Sequence, residues 1–217
     1  MKKIMLSLAC LALGCPSSSA VLNESSHLLI TESCLVQPSL AEQSKEKHLK
    51  FAGIPIDGSL QKFGEQMQKK RYKLLYEDKE LLIFRGSHAG KKDCLIYVYA
   101  HPDNGVVYMV GVNFGAESRW DKLKYRYLRL KLKMTEMFGE PVLCTEVFHT
   151  PESPRTQAEK MDFIREDKVE YVSGFRTSTG LVSVQIVHSP KVDKEKASVM
   201  LYYTDRMNCV DSVPGQP

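Results

Sequence analysis

The chain has 217 residues, of which 43% are hydrophobic and 26% charged, and its formal net charge is +4 at pH 7. These proportions are typical of a globular protein and exclude a chain that is disordered throughout. Thirteen glycines and ten prolines without a triplet period exclude collagen, and the single long apolar run is too short to span a bilayer as a mature helix.

That apolar run belongs to a pattern typical of an export signal. Lys2 and Lys3 form a basic start, residues 4–13 are apolar, and Ser18-Ser19-Ala20 offers the small residues that signal peptidase I requires. We therefore predict that residues 1–20 are a signal peptide. The expected location of the protein is the periplasm or the outside of the cell.

A second processing route stays open at the same end of the chain. Ala12-Leu13-Gly14-Cys15 resembles a bacterial lipobox, although Ala12 stands where leucine is usual. By that route Cys15 would carry a lipid and tether the protein to the envelope. In either case, removing residues 1–20 takes away two lysines and no acids and lowers the net charge to +2, which does not favour a nucleic-acid partner.

Four cysteines remain beyond the signal: Cys34, Cys94, Cys144 and Cys209. Their wide spacing contains no CxxC element and does not favour a zinc site. A disulfide is one interpretation for an exported protein, with three pairings open. The other is that Cys94 and Cys144, which have apolar neighbours, are buried as small hydrophobic residues.

The first ordered elements are predicted after a polar arm at residues 21–47. Residues 48–58 read as a short strand closed by a turn, and Asp57 or Ser59 can then cap a helix. Leu60, Phe63 and Met67 are spaced for one face of that helix. Four β-rich segments follow, at 72–76, 81–86, 94–100 and 106–114, and Pro102-Asp103-Asn104-Gly105 predicts a hairpin between the last two.

The same order of elements is predicted again in the second half. Ser118 can cap a helix, with Asp121 placed for a capping box, and Gly139 and Pro141 end it after Phe138. Strand-like segments follow at 142–149, 161–165, 169–177, 181–188 and 199–205.

The predicted fold class is therefore α+β. It consists of two tandem repeats, at about 48–115 and 116–208, each a helix followed by an antiparallel meander, with the helices packed on one sheet face. Residues 209–217 form a tail. Whether the two sheets join stays open.

Three stretches carry a resemblance to a known group of proteins. Phe51–Leu60, Val110–Phe114, and the helix from Trp120 to the stop at Phe138–Pro141 look like an uncharacterised family of secreted proteins from Gram-negative gut bacteria. The resemblance spans about residues 49–208 and implies an envelope or secreted α+β protein with no established activity. The order of elements is also distantly similar to that of the β-lactamase inhibitor protein, which has tandem units of a helix and four strands.

The sequence predicts no catalytic residue, metal site or cofactor. It contains neither GxSxG nor HExxH, and its histidines are scattered. They are His27, His48, His88, His101, His149 and His188.

Two surfaces are candidates for recognition instead. Tyr97 and Tyr99 alternate with apolar residues, and Tyr202-Tyr203 splits across a strand, so some of these rings are expected on an exposed sheet face. The second candidate is a basic helix face between residues 122 and 133, which could meet an anion. It includes Lys124, Arg126 and Lys131.

These observations favour an exported, non-catalytic binding module whose partner is a protein or a glycan. The alternatives are a hydrolase with an unrecognised active site and a structural envelope protein that self-associates through a sheet edge.

Overall fold

The structure, a computed structural model, describes residues 47–190 and 193–209. The predicted signal peptide, the possible lipid on Cys15, most of the predicted arm and all of the tail beyond Cys209 lie outside the described residues. Within them the protein is α+β, as predicted, and a large antiparallel sheet dominates it.

The elements alternate between helices and runs of strands. The first half contains β1 (Lys50–Phe51), β2 (Ile54–Pro55), α1 (Leu60–Lys69), β3 (Lys73–Glu77), β4 (Leu81–His88), β5 (Lys91–Ala100) and β6 (Val107–Glu117). The second half contains α2 (Trp120–Phe138), β7 (Leu143–Phe148), α3 (Gln157–Arg165), β8 (Val169–Arg176), β9 (Gly180–His188), β10 (Ala197–Asp205) and α4 (Arg206–Cys209).

Eight strands form one continuous sheet in the order β3-β4-β5-β6-β10-β9-β8-β7. The last strands of the two halves, β6 and β10, pair at the centre, where Tyr202 lies opposite Gly111. The question left open by the sequence is thereby answered, because the two meanders share one sheet. Its edges are β3 and β7.

The helices bury their apolar stripes on one side of this sheet. Phe63 and Met67 from α1 and Leu123 and Tyr127 from α2 are at most 1% exposed. They belong to the same core cluster as inward strand residues such as Ile96. The spacing of apolar residues predicted both helices correctly.

One predicted strand is a helix. Residues 161–165 belong to α3, which begins with a capping box: the Thr156 hydroxyl accepts from the Glu159 amide at 3.1 Å, and the Glu159 carboxylate accepts from the Thr156 amide at 3.1 Å. Met161 and Ile164, three residues apart, reach the core. The β-strand prediction was wrong because it considered only the apolar end of this helix.

The start of α2 also differs from the prediction. Its N-cap residue is Arg119, which makes no side-chain cap bond, and the helix begins at Trp120. The Asp121 carboxylate binds the Arg119 guanidinium at 2.6 Å, so the predicted capping box with Ser118 is wrong. The Asp121 carboxylate was predicted to accept a hydrogen bond from the Ser118 amide, but it pairs with the guanidinium of the neighbouring Arg119 instead.

Candidate functional site

One side of the sheet is not covered by the helix-bearing core, and we call it the open face. Along β5, Ile96 and Val98 are fully buried in the core, whereas Tyr97 and Tyr99 alternate with them and point to the other side. Met109 is buried but lies outside the core cluster, because it too is on this side. The open face is the surface on which the described strands present their alternate side chains.

Strand register places the open-face residues in rows that cross the whole sheet. In the central row, Tyr97 and Tyr202 stand on either side of Gly111. The full row from β3 to β7 is Tyr76, Ile83, Tyr97, Gly111, Tyr202, Ser183, Gly174 and Leu143. None of these side chains carries a formal charge near pH 7.

The tyrosine rings form a compact cluster at the middle of this face. The rings of Tyr97 and Tyr99 have centroids 6.4 Å apart and planes 18° from parallel. The absence of a side chain at Gly111 makes room for Tyr202, since a Cβ there would lie 3.0 Å from the Tyr202 ring. Glycine therefore lets an aromatic ring lie close over the neighbouring strand.

These tyrosines stay neutral throughout the physiological pH range. Burial, with Tyr97 nearby, raises the pKa of Tyr202 to about 12. Burial also raises the pKa of Tyr99 and of Tyr97, and in Tyr97 a hydrogen bond from Asn113 opposes the effect. Each ring therefore presents an apolar face and a neutral hydroxyl that can donate or accept a hydrogen bond.

The structure places Tyr203 away from this cluster. Tyr203 is 6% exposed and faces the helices, where its hydroxyl lies 2.9 Å from Nε2 of His88 and its ring packs edge-on against Phe51. It has no part in the open face. The sequence indicated that Tyr202 and Tyr203 point to opposite sides, and the packing of β10 places the half-buried Tyr202 on the open face and Tyr203 in the core.

The basic residues of α2 do not converge on one patch. Arg126 donates to the Gly115 carbonyl at 2.8 Å and pairs with Glu117, whereas Lys131 pairs with Glu146 at 2.6 Å. Arg126 and Lys131 are five residues apart and so point about 140° away from each other around the helix. Lys124 is partly exposed. Two of the three candidate cations are thus neutralised within the protein.

A histidine lies between two carboxylates where the first described residues meet the end of β10. His48 is 3.2 Å from Asp205 and 3.5 Å from Asp57. Asp205 is fully buried and accepts hydrogen bonds from the amides of Leu49, Met207 and Asn208 at 2.6 to 3.0 Å. With its oxygens held by backbone donors, Asp205 joins the start of the described chain to α4. These hydrogen bonds indicate that the cluster of His48, Asp57 and Asp205 has a structural role.

Two surface depressions lie away from the tyrosine cluster. One is beside Gln61, Gly64 and Leu82, and the other is beside Pro154 and Phe163. The residues lining them include no histidine and no cysteine.

The thiols of Cys94 and Cys144 lie in different surroundings. Cys94 is 1% exposed in the core, as expected for a small hydrophobic residue. Cys144 is exposed on the edge strand β7, with its sulfur 3.0 Å from Nζ of Lys131, so the prediction that it is buried was wrong.

The described residues contain neither a metal-binding cluster nor a helix that could span a membrane. Across residues 47–190 and 193–209, no group of three or more His, Cys, Asp or Glu side chains is arranged to hold a metal ion. In the same part of the chain, no helix combines the length and the apolar character needed to cross a membrane.

Comparisons of this chain with models of protein families, with curated proteins and with solved structures found no match. The choice of the open face as the candidate site therefore depends on its geometry alone. Sequence reasoning identified its tyrosines but missed Gly111 and Asn113. Only the strand register brings those two residues beside the rings.

Proposed function

We propose that this protein is a non-catalytic binding module that holds a protein or glycan partner against the open face of its sheet. The observation that carries the proposal is the cluster of Tyr97, Tyr99 and Tyr202 at the centre of a sheet face that the helix-bearing core leaves uncovered.

Tyrosine suits recognition for two physical reasons. Its rigid ring offers a large contact area at a small entropic cost, and its hydroxyl can meet a polar group of the partner. The surrounding open-face residues include Leu81, Ile83 and Leu95, which add apolar area. Contiguous apolar surface of this kind is typical of an interaction site.

The arrangement of strands also supports a second candidate, a structural protein that self-associates. Strand β7 is an edge, and its Leu143 and Val147 are each 40% exposed. Such an edge can pair with another strand. The other edge, β3, carries a register shift between Leu74 and Tyr76, which hinders regular pairing.

We further infer that the two halves of the chain are tandem repeats. In each half a helix precedes a meander of four sheet strands, and the halves meet through their last strands, β6 and β10. The helix α3 is an insertion in the second half.

We also propose that the protein is exported, on the pattern of residues 1–20 alone. Intact mass of the protein from its native host, in membrane and soluble fractions, tests this. A chain starting near Val21, or a lipid-modified chain starting at Cys15, agrees with export. An unprocessed chain starting at Met1 contradicts it.

The binding proposal is tested by probing wild-type protein with a glycan array and with a phage-displayed library of random peptides. The same probes are then applied to Y97A/Y202A and to the control Y125A, which removes a tyrosine that is 62% exposed on α2. We expect wild type and Y125A to bind the same probes and Y97A/Y202A to lose them, with urea unfolding establishing that all three are folded. Absence of binding by wild type, or binding that persists in folded Y97A/Y202A, would contradict the proposal.

A further inference from the structure

Two cations face each other at one corner of the open face. Lys73 on β3 and Arg85 on β4 are directly paired in the register, and both are exposed. Their neighbours Leu74 and Phe84, which are also paired, point to the core side, so Lys73 and Arg85 point to the open side. Among the described residues, neither cation takes part in an ion pair.

This pairing is electrostatically unfavourable in the isolated protein. Like charges directly opposite each other on adjacent strands destabilise a sheet. A carboxylate placed between the two side chains would replace the repulsion with charge-assisted hydrogen bonds, to which arginine can contribute two. The corner is therefore suited to an acidic group supplied from outside.

The remainder of the face does not supply that group. The row that begins with these cations is Lys73, Arg85, Leu95, Asn113, Met200, Gln185, Val172 and Thr145. The row on the other side of the tyrosines is Leu81, Tyr99, Met109, Thr204, Leu181 and Arg176. With the central row, these residues include three cations and no carboxylate. The next row of the open face contains Glu170 on β8, opposite Val147, and its carboxylate lies 3.1 Å from Nε2 of His149. Four strands separate β8 from β4, so Glu170 does not reach Lys73 and Arg85.

The dimensions of the face fit a protein rather than a small molecule. Eight strands leave seven gaps of about 4.8 Å, so the face is about 34 Å wide. That width is compatible with the roughly 800 Å² that each partner buries in a protein complex of ordinary size.

We propose that the partner is a protein that lays an acidic segment across the open face, with carboxylates against Lys73 and Arg85 and apolar or aromatic side chains against Tyr97. This inference rests on the proposed function and specifies the chemistry of its partner. The cations contribute attraction and register, while the tyrosines contribute most of the buried area.

The test uses peptides selected from the phage-displayed random library on the full-length protein. We expect the selected sequences to combine Asp or Glu with apolar or aromatic residues. A synthetic peptide of that kind is then titrated against wild type, against K73E/R85E, and against K62E/K122E. The last variant makes the same change in net charge on exposed positions of α1 and α2.

We expect K73E/R85E to weaken binding by about tenfold or more and K62E/K122E to leave it nearly unchanged. Added salt should weaken wild-type binding more than that of K73E/R85E. Because both residues of the cation pair are exposed, the variant should fold, and its urea unfolding curve verifies this.

Three outcomes would overturn the inference while leaving the binding proposal standing. They are selected peptides without acidic residues, equal affinity of K73E/R85E and wild type, and binding of glycans alone. Self-association of wild type that K73E/R85E abolishes, seen by sedimentation, would show a second copy as the occupant and also overturn it. If Y97A/Y202A binds as tightly as wild type, the proposed function itself fails.

Discussion

His88 is a half-buried base that links the stability of the protein to pH. Its ring stacks on Phe51 with centroids 4.8 Å apart, and its Nε2 lies 2.9 Å from the Tyr203 hydroxyl. Burial, together with the nearby Lys133 ammonium, lowers the pKa of His88 from 6.5 to about 4. The folded protein therefore keeps this imidazole neutral at a pH where the unfolded chain protonates it.

The direction of the effect follows from the proton balance. Because the pKa of His88 is lower in the folded state, the unfolded chain binds the proton first as the pH falls. The stabilisation is complete above about pH 6.5 and is lost progressively towards pH 4. Between pH 7 and pH 5 this single group should lower the free energy of unfolding by about 1.8 kcal/mol.

Urea unfolding of wild type and His88→Gln at pH 7 and pH 5 measures this loss. Glutamine is neutral at both values and keeps a polar group near the Tyr203 hydroxyl, and all other titrations are common to the two proteins. Wild type should lose about 1.8 kcal/mol more than the variant between the two pH values. An equal loss in both proteins would refute the assignment of a depressed pKa to His88.

Three other predictions concern buried hydrogen bonds and thiols. Asp205→Ala should lower the free energy of unfolding by about 3 kcal/mol or more, measured in urea, because three backbone amides lose their acceptor; a loss comparable to that of a surface substitution would contradict the anchoring role. Tyr127→Phe should cost about 1–2 kcal/mol by breaking its 2.6 Å contact with the Ser173 hydroxyl. That cost should shrink when Ser173→Ala is also present, and purely additive losses would argue against the bond. Iodoacetamide followed by mass spectrometry should label Cys144 in the folded protein and Cys94 only after unfolding; fast labelling of Cys94 would show that the core opens.

Elements with strong local signals were predictable from the sequence. The spacing of Leu60, Phe63 and Met67 identified α1, and the alternation around Tyr97 identified β5 with the correct faces. These predictions succeeded because hydrophobic periods of 3.6 and 2 residues reflect burial of one face. The error at α3 arose where a short apolar stretch was compatible with both periods and the capping box upstream of it was overlooked.

The candidate site depended on contacts that no local pattern contains. Gly111 supports the tyrosine cluster only because β10 places Tyr202 beside it, although the two residues are far apart in the chain. Likewise, Lys73 and Arg85 face each other only in the register that β3 and β4 adopt. The sequence contained all of these residues without indicating that they are neighbours.

Local sequence patterns were therefore sufficient to predict the α+β class, most strands, the amphipathic helices α1 and α2, and the tyrosines of the open face. Tertiary structure decided that the two meanders form one sheet, that Tyr202 rather than Tyr203 lies on the open face, and that Arg126 and Lys131 are neutralised by different partners. Patterns of burial can be read from residues that are close together in the sequence, because each helix or strand buries one face. Strand register and charge pairing, in contrast, depend on which distant segments pack together.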